Sequence, residues 1–304
     1  MHYTHRQLQQ FLALAETGSI TAAARACHVT QPTVSMQLKE LGAAVGLPLF
    51  EQIGKQLHLT AAGQALARTA RAMTDEWAGF EQQVAAMQGL TQGRLRVAVV
   101  STAEYFMPRL LGSFCARHPG IEVALQVLNR DGVVARLADN RDDLAIMSMP
   151  PPEADLVQHA FLANPLVVIA PAGHPLSGRR TPLPLARLAD QPFILREQGS
   201  GTRMAADAHF AAQGFEPQAR LALGSNEAIK HAVAAGMGLA VISRHALADD
   251  PARDGVALLP LRGFPLHSNW FTVHRRGKRL SPIATAFLTH LQAAARADQV
   301  GSTG

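Results

Sequence analysis

The sequence predicts an α+β multidomain chain: a small N-terminal helix-turn-helix with a hairpin-like wing, one long helix, and a larger α/β unit. Three observations predict it. Two short helical segments meet at a tight turn between Thr17 and Leu41. Apolar residues then recur at alternating steps of 4 and 3 from Leu66 to Met87. From Leu95 onward, strand-like and helix-like segments alternate to the end of the chain.

The first segment can be justified residue by residue. Leu8, Phe11, Leu12 and Ala15 fall at helical spacing and give a first helix its apolar face. Gly18 ends it, because glycine accepts the left-handed conformation just past a helix end. Ser19 is a good N-cap for a second helix, with Thr21 in its first turn. Ala22, Ala23, Ala24 and Ala26 keep that helix thin, so another helix can approach closely. Thr30 is the expected cap of a third helix, and Pro32 suits its first turn, where no N–H is needed. Val34, Leu38 and Leu41 point inward. Gln31, Thr33, Ser35, Met36, Gln37 and Lys39 remain for solvent or DNA. Glutamine can bond adenine through two contacts, and Ser or Thr can bond bases or phosphates.

A three-helix core that binds nothing is the alternative, and the residues that follow speak against it. Leu47 to Phe50 is apolar and closes the domain. EQIGKQLHLT (51–60) reads as two extended pieces around Gly54, a wing in which Lys55 and His58 can lie along a phosphate backbone. The residues expected at DNA are therefore Ser19, Thr21, Thr30, Gln31, Pro32, Thr33, Ser35, Met36, Gln37, Lys39 and Lys55.

Charge tempers this expectation. The chain of 304 residues has a net charge of +5. Yet Arg6, Arg25, Lys39, Lys55, Arg68 and Arg71 are balanced by as many carboxylates up to residue 92. A basic stripe is the usual footprint of a DNA binder. Its absence implies modest affinity per domain and a need for paired copies. No apolar run follows a basic start, so no signal peptide is expected, and no stretch is long enough to span a membrane. The expected location is the cytoplasm. Cys27 and Cys115 lack metal-ligand spacing and read as small buried hydrophobes.

Leu66, Ala70, Met73, Trp77, Phe80, Val84 and Met87 have the spacing of a coiled-coil seam. The helix is expected from Thr60 to Gln88, about 40 Å long. Such a stripe can pack on its own domain. Trp77 and Phe80 favour pairing with a second copy, which presents two recognition helices to two half-sites. Gly89, Thr91 and Gly93 punctuate a hinge.

Strands are expected at 95–100, 121–128, 144–149, 166–170, 193–197, 219–223, 238–243, 256–261 and 269–275. Helices are expected at 104–117, 132–139, 202–213, 226–235 and 281–296. Ligands in open α/β sheets sit beyond the carboxyl ends of strands, at helix N-termini. Ser101 and Thr102 lie at one such turn, and Ser200, Gly201 and Thr202 at another. Asn226 opens a third, and Ser148 ends a further strand. Free N–H groups, the helix dipole and hydroxyls at these points suit an anion, with Arg203 and Arg196 as added cations. Each hydroxyl alone is an ordinary cap. Three such turns together favour a ligand cleft.

The chain resembles the LysR-type bacterial transcriptional regulators over its whole length. FLALAETGSITAAAR, QPTVSMQLKELGAAVGLPLF and LTAAG carry the resemblance at the N-terminus. EQIGKQLHLT, TAEYFMPRLL, REQGSGTR and GSNEAIKHAVAAGMGLAVIS look most like the regulators of Calvin-cycle (RuBisCO) operons. Met36, Gln52 and Lys55 stand where many members have arginine, so base reading by arginine is not carried over. The resemblance implies a winged helix-turn-helix (1–60), a linker helix and hinge (61–92), and a two-lobed effector domain of the periplasmic-binding-protein type (93–304). Lobe I would comprise 93–150 and 266–304, and lobe II 161–265, with the crossing near Met149–Phe161 and the return near Gly263–Asn269.

The implied protein is a regulator, not an enzyme. Its partners are double-stranded promoter DNA with a dyad-symmetric site, a second copy in a homodimer and then a homotetramer, and RNA polymerase. It needs no cofactor. Its effector is a small anion: a phosphorylated sugar or acid such as ribulose bisphosphate, phosphoenolpyruvate or phosphoglycolate, or NADPH. A regulator of another metabolic operon and a solute-binding protein of the same fold are the alternatives. The latter would not carry the wing and linker. An enzyme would need a titratable pair or cofactor motif, which the sequence does not offer. His2, His5, His267 and His274 lack a convergent ligand set for metal.

Overall fold

The computed structural model describes residues 3–53, 56–87 and 92–301. Two compact units divide after Val84. The N-terminal unit begins with α1 (His5–Thr17), α2 (Ile20–Ala26) and α3 (Gln31–Val45). Local chemistry sets these helices. Thr4 and Gln7 form a reciprocal capping box at the start of α1. Gly18 closes α1 at φ 64°, donating to Leu14 O. The Ser19 side chain accepts from Ala22 N as the cap of α2. Thr30 occupies the cap position of α3, but its hydroxyl makes no cap bond. It pairs instead with the Thr33 hydroxyl at 2.8 Å.

Leu8, Phe11, Leu14, Val34, Leu38 and Leu41 form one buried cluster with Ala23, Ala24 and Leu49. Leu14 takes the buried place expected of Leu12 and Ala15, which pack at its edge. β1 (Phe50–Ile53) and β2 (Gln56–Leu59) pair antiparallel as the expected wing, with Ile53 opposite Gln56. Lys55 and Gly54 lie outside the described residues, as do Gly89 and Thr91 of the expected hinge and Gln88 at the expected helix end. α4 (Ala61–Met87) starts where Thr60 Oγ1 accepts from Gly63 N at 3.1 Å. Its first turns supply Ala67 and Ala70 to the N-terminal core, so this half of the helix is not a segment apart.

The second unit begins with β3 (Gly93–Val100) and a 3-10 turn (Ser101–Tyr105), followed by α5 (Met107–Arg117). A continuous helix from residue 104 does not form. Pro108 lacks an N–H and would clash one turn back, so it sits in the first turn of a new helix. Next come β4 (Ile121–Leu128), α6 (Arg130–Ala138), β5 (Leu144–Met147) and β6 (Leu156–Ala163). β7 (Leu166–Pro171), β8 (Pro192–Arg196), α7 (Gly201–Ala212) and β9 (Gln218–Leu223) follow. The remaining elements are α8 (Asn226–Ala234), β10 (Ala240–Ser243), β11 (Val256–Leu258), β12 (Asn269–Arg275) and α9 (Pro282–Gly301).

One sheet has the order β4-β3-β5-β12-β6. β3 runs parallel to β4 and β5, and β12 runs antiparallel to β5 and β6. β6 was not expected as a strand, and residues 156–163 belong to this first lobe. The crossing therefore falls at Asn164–Pro165, not at Met149–Phe161, and 161–163 do not open lobe II. The reason is that β6 is an edge strand with Phe161 as its buried side chain, so it carries little apolar signal. The second lobe joins β10-β7-β11 to β8-β9 through a bridge at Phe193 and Leu239. Asn164 N donates to Ser268 O at 2.8 Å where the outgoing and returning segments run side by side. No described helix is long and apolar enough to cross a membrane.

Candidate functional site

In the N-terminal unit, α3 buries Val34, Leu38 and Leu41 and exposes the opposite side. At 100° per residue, Pro32, Met36 and Lys39 fall in the middle of that exposed face, with Ser35 beside them. Gln31, Thr30 and Thr21 are also exposed. Thr33 and Gln37 are half-buried, and Gln37 Nε2 donates to Glu40 Oε2 at 3.0 Å. Ser19 is half-buried and spends its hydroxyl on the α2 cap. Met36, 53% exposed, is the large apolar side chain at the centre of the face. That position suits contact with a thymine methyl rather than a phosphate.

On α4, Leu66 and Ala70 turn into the N-terminal core, whereas Met73, Trp77 and Phe80 are exposed. The Trp77 and Phe80 rings lie 5.6 Å apart, and Trp77 Nε1 donates to Glu81 at 2.7 Å. Val84 is half-buried, and the side chain of Met87 lies outside the described residues. One seam therefore does two jobs: its start is core and its middle is an aromatic surface.

The effector unit brings residues from four strand ends into one narrow pocket. Ser101 and Thr102 come from the 3-10 turn after β3, Ser148 from the end of β5, and Ser200, Gly201 and Thr202 from the start of α7. Asn129, Arg130 and Arg196 complete its polar lining. Asn129 and Arg130 were missed in the sequence. They stand at the carboxyl end of β4, the same kind of position that marked the other turns. Asn129 Oδ1 caps α6 by accepting from Gly132 N at 2.9 Å. Arg130 is pinned by a 2.6 Å bond from Nε to Met149 O.

Close approach explains the glycines here. A Cβ on Gly201 would lie 3.2 Å from Ser148 Oγ, and one on Gly199 would come within 2.5 Å of the Asp131 carboxylate. Ser200 caps α7, and the N–H groups of its first turn are directed to the pocket end of the helix. These donors, with Arg130 facing them from the other lobe, suit a small anion.

Arg196, whose side chain is 2% exposed, is held by protein groups on every side. It pairs with Glu197 through two contacts at 2.8 and 3.0 Å and donates to Asn226 Oδ1 at 2.8 Å and Ser101 Oγ at 3.1 Å. Asn226 is thus buried behind the pocket, bonding Arg196 and Thr102, and does not line it. Arg203 does not line it either, since Asp207 one turn along α7 draws its Nε to 2.6 Å.

Beside the pocket, Tyr105 from the first lobe donates to Glu227 of α8 at 2.7 Å. Lys230 then bridges Glu227 at 2.9 Å and Asp254 at 3.1 Å. Burial pushes the Tyr105 phenol far up, and the Glu227 carboxylate adds to this. Burial also opposes the charges of Glu227, Asp254 and Lys230. Hydrogen bonds outweigh it: from Lys230 and Tyr105 to Glu227, from Ala248 N and Lys230 to Asp254, and from Lys230 to both carboxylates, so both carboxyls are lowered and the amine is raised.

Comparison with known proteins accounts for both units. Residues 5–64 match the bacterial regulatory helix-turn-helix protein model of the lysR family, and residues 88–296 match the LysR substrate binding domain. The RuBisCO operon transcriptional regulator of Acidithiobacillus ferrooxidans is 46% identical over 96% of this chain and 94% of its own length. The CcmR regulatory domain of Synechocystis, solved in complex with 2-PG, is 48% identical. It covers 67% of this chain and 98% of its own at a TM-score of 0.65. Full-length CbnR, solved with its target DNA, is 25% identical and covers 95% of this chain and 99% of its own, also at a TM-score of 0.65. The chain belongs to the LysR family of bacterial transcriptional regulators.

Proposed function

We propose that this chain regulates transcription of a RuBisCO operon in response to a small phosphorylated acid such as 2-phosphoglycolate. The observation that carries this reading is the pocket in which Arg130 and Ser148 of one lobe face Gly201 and Thr202 at the start of α7 in the other. An anion held there makes contacts to both lobes, so it binds their closed arrangement more tightly and shifts the population toward it. The regulator names of the relatives and the 2-PG bound to CcmR support the same reading. Among the described residues, no side chain lining the pocket is aromatic. That favours a compact anion over NADPH, whose rings need a flat apolar wall.

DNA binding is assigned to the exposed face of α3 and to the wing. Without a basic surplus in this domain, two copies are needed. The exposed stripe of Met73, Trp77 and Phe80 supplies the pairing surface of a homodimer. Two such dimers then form a homotetramer on a dyad-symmetric promoter in the cytoplasm, where RNA polymerase is the further partner. The effector changes the relation between subunits and so the bend of the bound DNA.

A mobility-shift titration on the promoter of a neighbouring carbon-fixation operon tests this reading. The expected result is sequence-specific, salt-sensitive binding whose affinity or DNA bend changes with 2-phosphoglycolate. Binding without sequence preference would refute the regulator reading. Specific binding indifferent to phosphorylated acids would refute the effector reading alone.

A further inference from the structure

The positive charge of this chain lies outside its helix-turn-helix. Up to residue 92 basic and acidic side chains balance, so the net charge of +5 belongs to the remainder. One stretch of the second lobe concentrates it. Between residues 171 and 191 stand Arg179, Arg180 and Arg187 against a single carboxylate, Asp190.

The fold brings a fourth arginine to this stretch. Leu183 N donates to Pro260 O at 2.8 Å, and Arg262 N donates to Leu183 O at 2.9 Å. Arg262 therefore sits beside Leu183 and Pro184. Arg187 N donates to Pro184 O at 3.0 Å, at the 3-10 turn Leu185–Leu188. Arg179 and Arg180 precede Leu183 by so few residues that even an extended chain keeps them within about 14 Å of it. The support is stiff. Pro175, Pro182 and Pro184 fix the backbone, and Leu185 and Leu188 anchor the turn in the lobe's core.

All four arginines are exposed. Among the described residues, none has an ion pair or a side-chain hydrogen bond. Arg136, Arg196 and Arg203 differ, since each is paired with a carboxylate. Like charges gathered in this way raise the local potential and draw in a polyanion. No large apolar side chain is exposed in residues 171–191. The centre of a protein–protein interface is apolar, whereas a phosphate backbone is met by charged and polar groups. Guanidinium forks also fit phosphate oxygens two at a time.

We propose that the surface of Arg179, Arg180, Arg187 and Arg262 is a second DNA contact, which grips the phosphate backbone of duplex beyond the bases read by α3. It carries no sequence information. It supplies the affinity that the balanced N-terminal unit lacks. It rests on DNA binding by the full chain, and not on the metabolite assigned to the pocket.

The test uses the full chain and a fluorescent duplex of about 60 base pairs without an operator, titrated by anisotropy from about 50 to about 200 mM salt. Each phosphate contact adds about 0.9 to the slope of log affinity against log salt. Arg187→Ala/Arg262→Ala and Arg179→Ala/Arg180→Ala should each make that slope shallower by about 2 per engaged subunit. Arg187→Lys/Arg262→Lys, which keeps the charge, should restore most of it. Arg117→Ala/Arg296→Ala, an equal loss of charge at exposed positions of α5 and α9, should leave it as in the wild type. All variants change exposed side chains, so their circular dichroism should match the wild type. A slope unchanged in both patch variants, as expected if the surface meets an acidic protein instead, would overturn the proposal. So would an equal change in the α5 and α9 variant, or no binding of the wild type at the lowest salt. That last outcome leaves operator binding, measured separately by mobility shift, to decide the regulator reading.

Discussion

The Tyr105 hydroxyl donates to Glu227 Oε1 across 2.7 Å, and it comes from one lobe of the effector unit to the other. Tyr105 also packs against the apolar cluster of Ile169, Ile229 and Ile242 in that second lobe. A net intramolecular hydrogen bond contributes about 0.5–1.5 kcal/mol, and this one contributes only when the lobes are closed. Tyr105→Phe is therefore expected to weaken 2-phosphoglycolate binding by roughly 2- to 12-fold in calorimetry. DNA affinity without effector should stay as in the wild type. Unchanged metabolite affinity would mean that closure is not linked to the pocket.

The same seam fixes a pH dependence. Burial pushes the Glu227 and Asp254 carboxyls up, and bonds to each outweigh this, from Lys230 and Tyr105 for Glu227 and from Ala248 N and Lys230 for Asp254. Both carboxyls are thus lowered, so their stabilisation is present above the ordinary carboxylate range and lost as pH falls through the folded values, below about pH 4. Lys230 is raised, so its contribution persists to alkaline pH and is lost only above the ordinary lysine range. Thermal midpoints should be flat across neutral pH and fall below about pH 4. In Glu227→Gln the acid fall should be shallower. Parallel curves for the two proteins would contradict the assignment of Glu227.

Much of this was legible in the sequence because it is local. Gly18, Ser19 and the spacing of Val34, Leu38 and Leu41 act within one turn of helix, and their roles follow from their neighbours. What escaped depends on distant partners. Asn129 and Arg130 enter the pocket because β4 lies beside β3, a relation that no spacing reveals. The rule about strand carboxyl ends, applied to β4, would have found them. Asn226 has a suitable type at a suitable turn, yet Arg196, from another strand end, captures it. Arg203 is captured by Asp207 one turn along the same helix, a spacing that the sequence does show. Pro108 was a visible signal for the break between the 3-10 turn and α5.

Gln10 is 1% exposed in the N-terminal core, and neither side-chain polar atom has a partner among the described residues. An unsatisfied buried polar group costs about 1–3 kcal/mol, whereas an apolar side chain of the same length keeps the packing. Gln10→Met should raise the denaturation midpoint of the N-terminal unit by an amount corresponding to about 1–2 kcal/mol. A lower midpoint would show that the amide is satisfied by a bound water.

Trp77 is 55% exposed at the middle of the α4 seam, with Phe80 beside it at 54%. Neither contributes to the N-terminal core, so a charge here should leave the monomer fold intact. Trp77→Glu is expected to shift the protein from dimer to monomer by sedimentation at micromolar concentration, with unchanged helical content. Because one domain lacks the basic surface for firm binding, promoter affinity should fall by about 100-fold or more as the second half-site's effective concentration is lost. A dimer that survives the substitution would assign pairing to another surface.

Arg130 presents its guanidinium to the pocket from the first lobe, oriented by the 2.6 Å bond to Met149 O. Arg130→Lys keeps a charge but loses that anchoring bond and the planar fork that grips two phosphate oxygens at once. Hydrogen bonds to charged groups contribute about 1.5–3 kcal/mol, so 2-phosphoglycolate affinity should drop by roughly 10- to 150-fold in calorimetry. Thr202→Val, which removes one hydroxyl at the opposite wall while keeping its volume, should cost less, about 0.5–1.5 kcal/mol. The order matters more than either value. If Thr202→Val proved the more damaging, the anion would be held chiefly by the start of α7, and Arg130 would serve to hold Met149 in place rather than to bind the ligand.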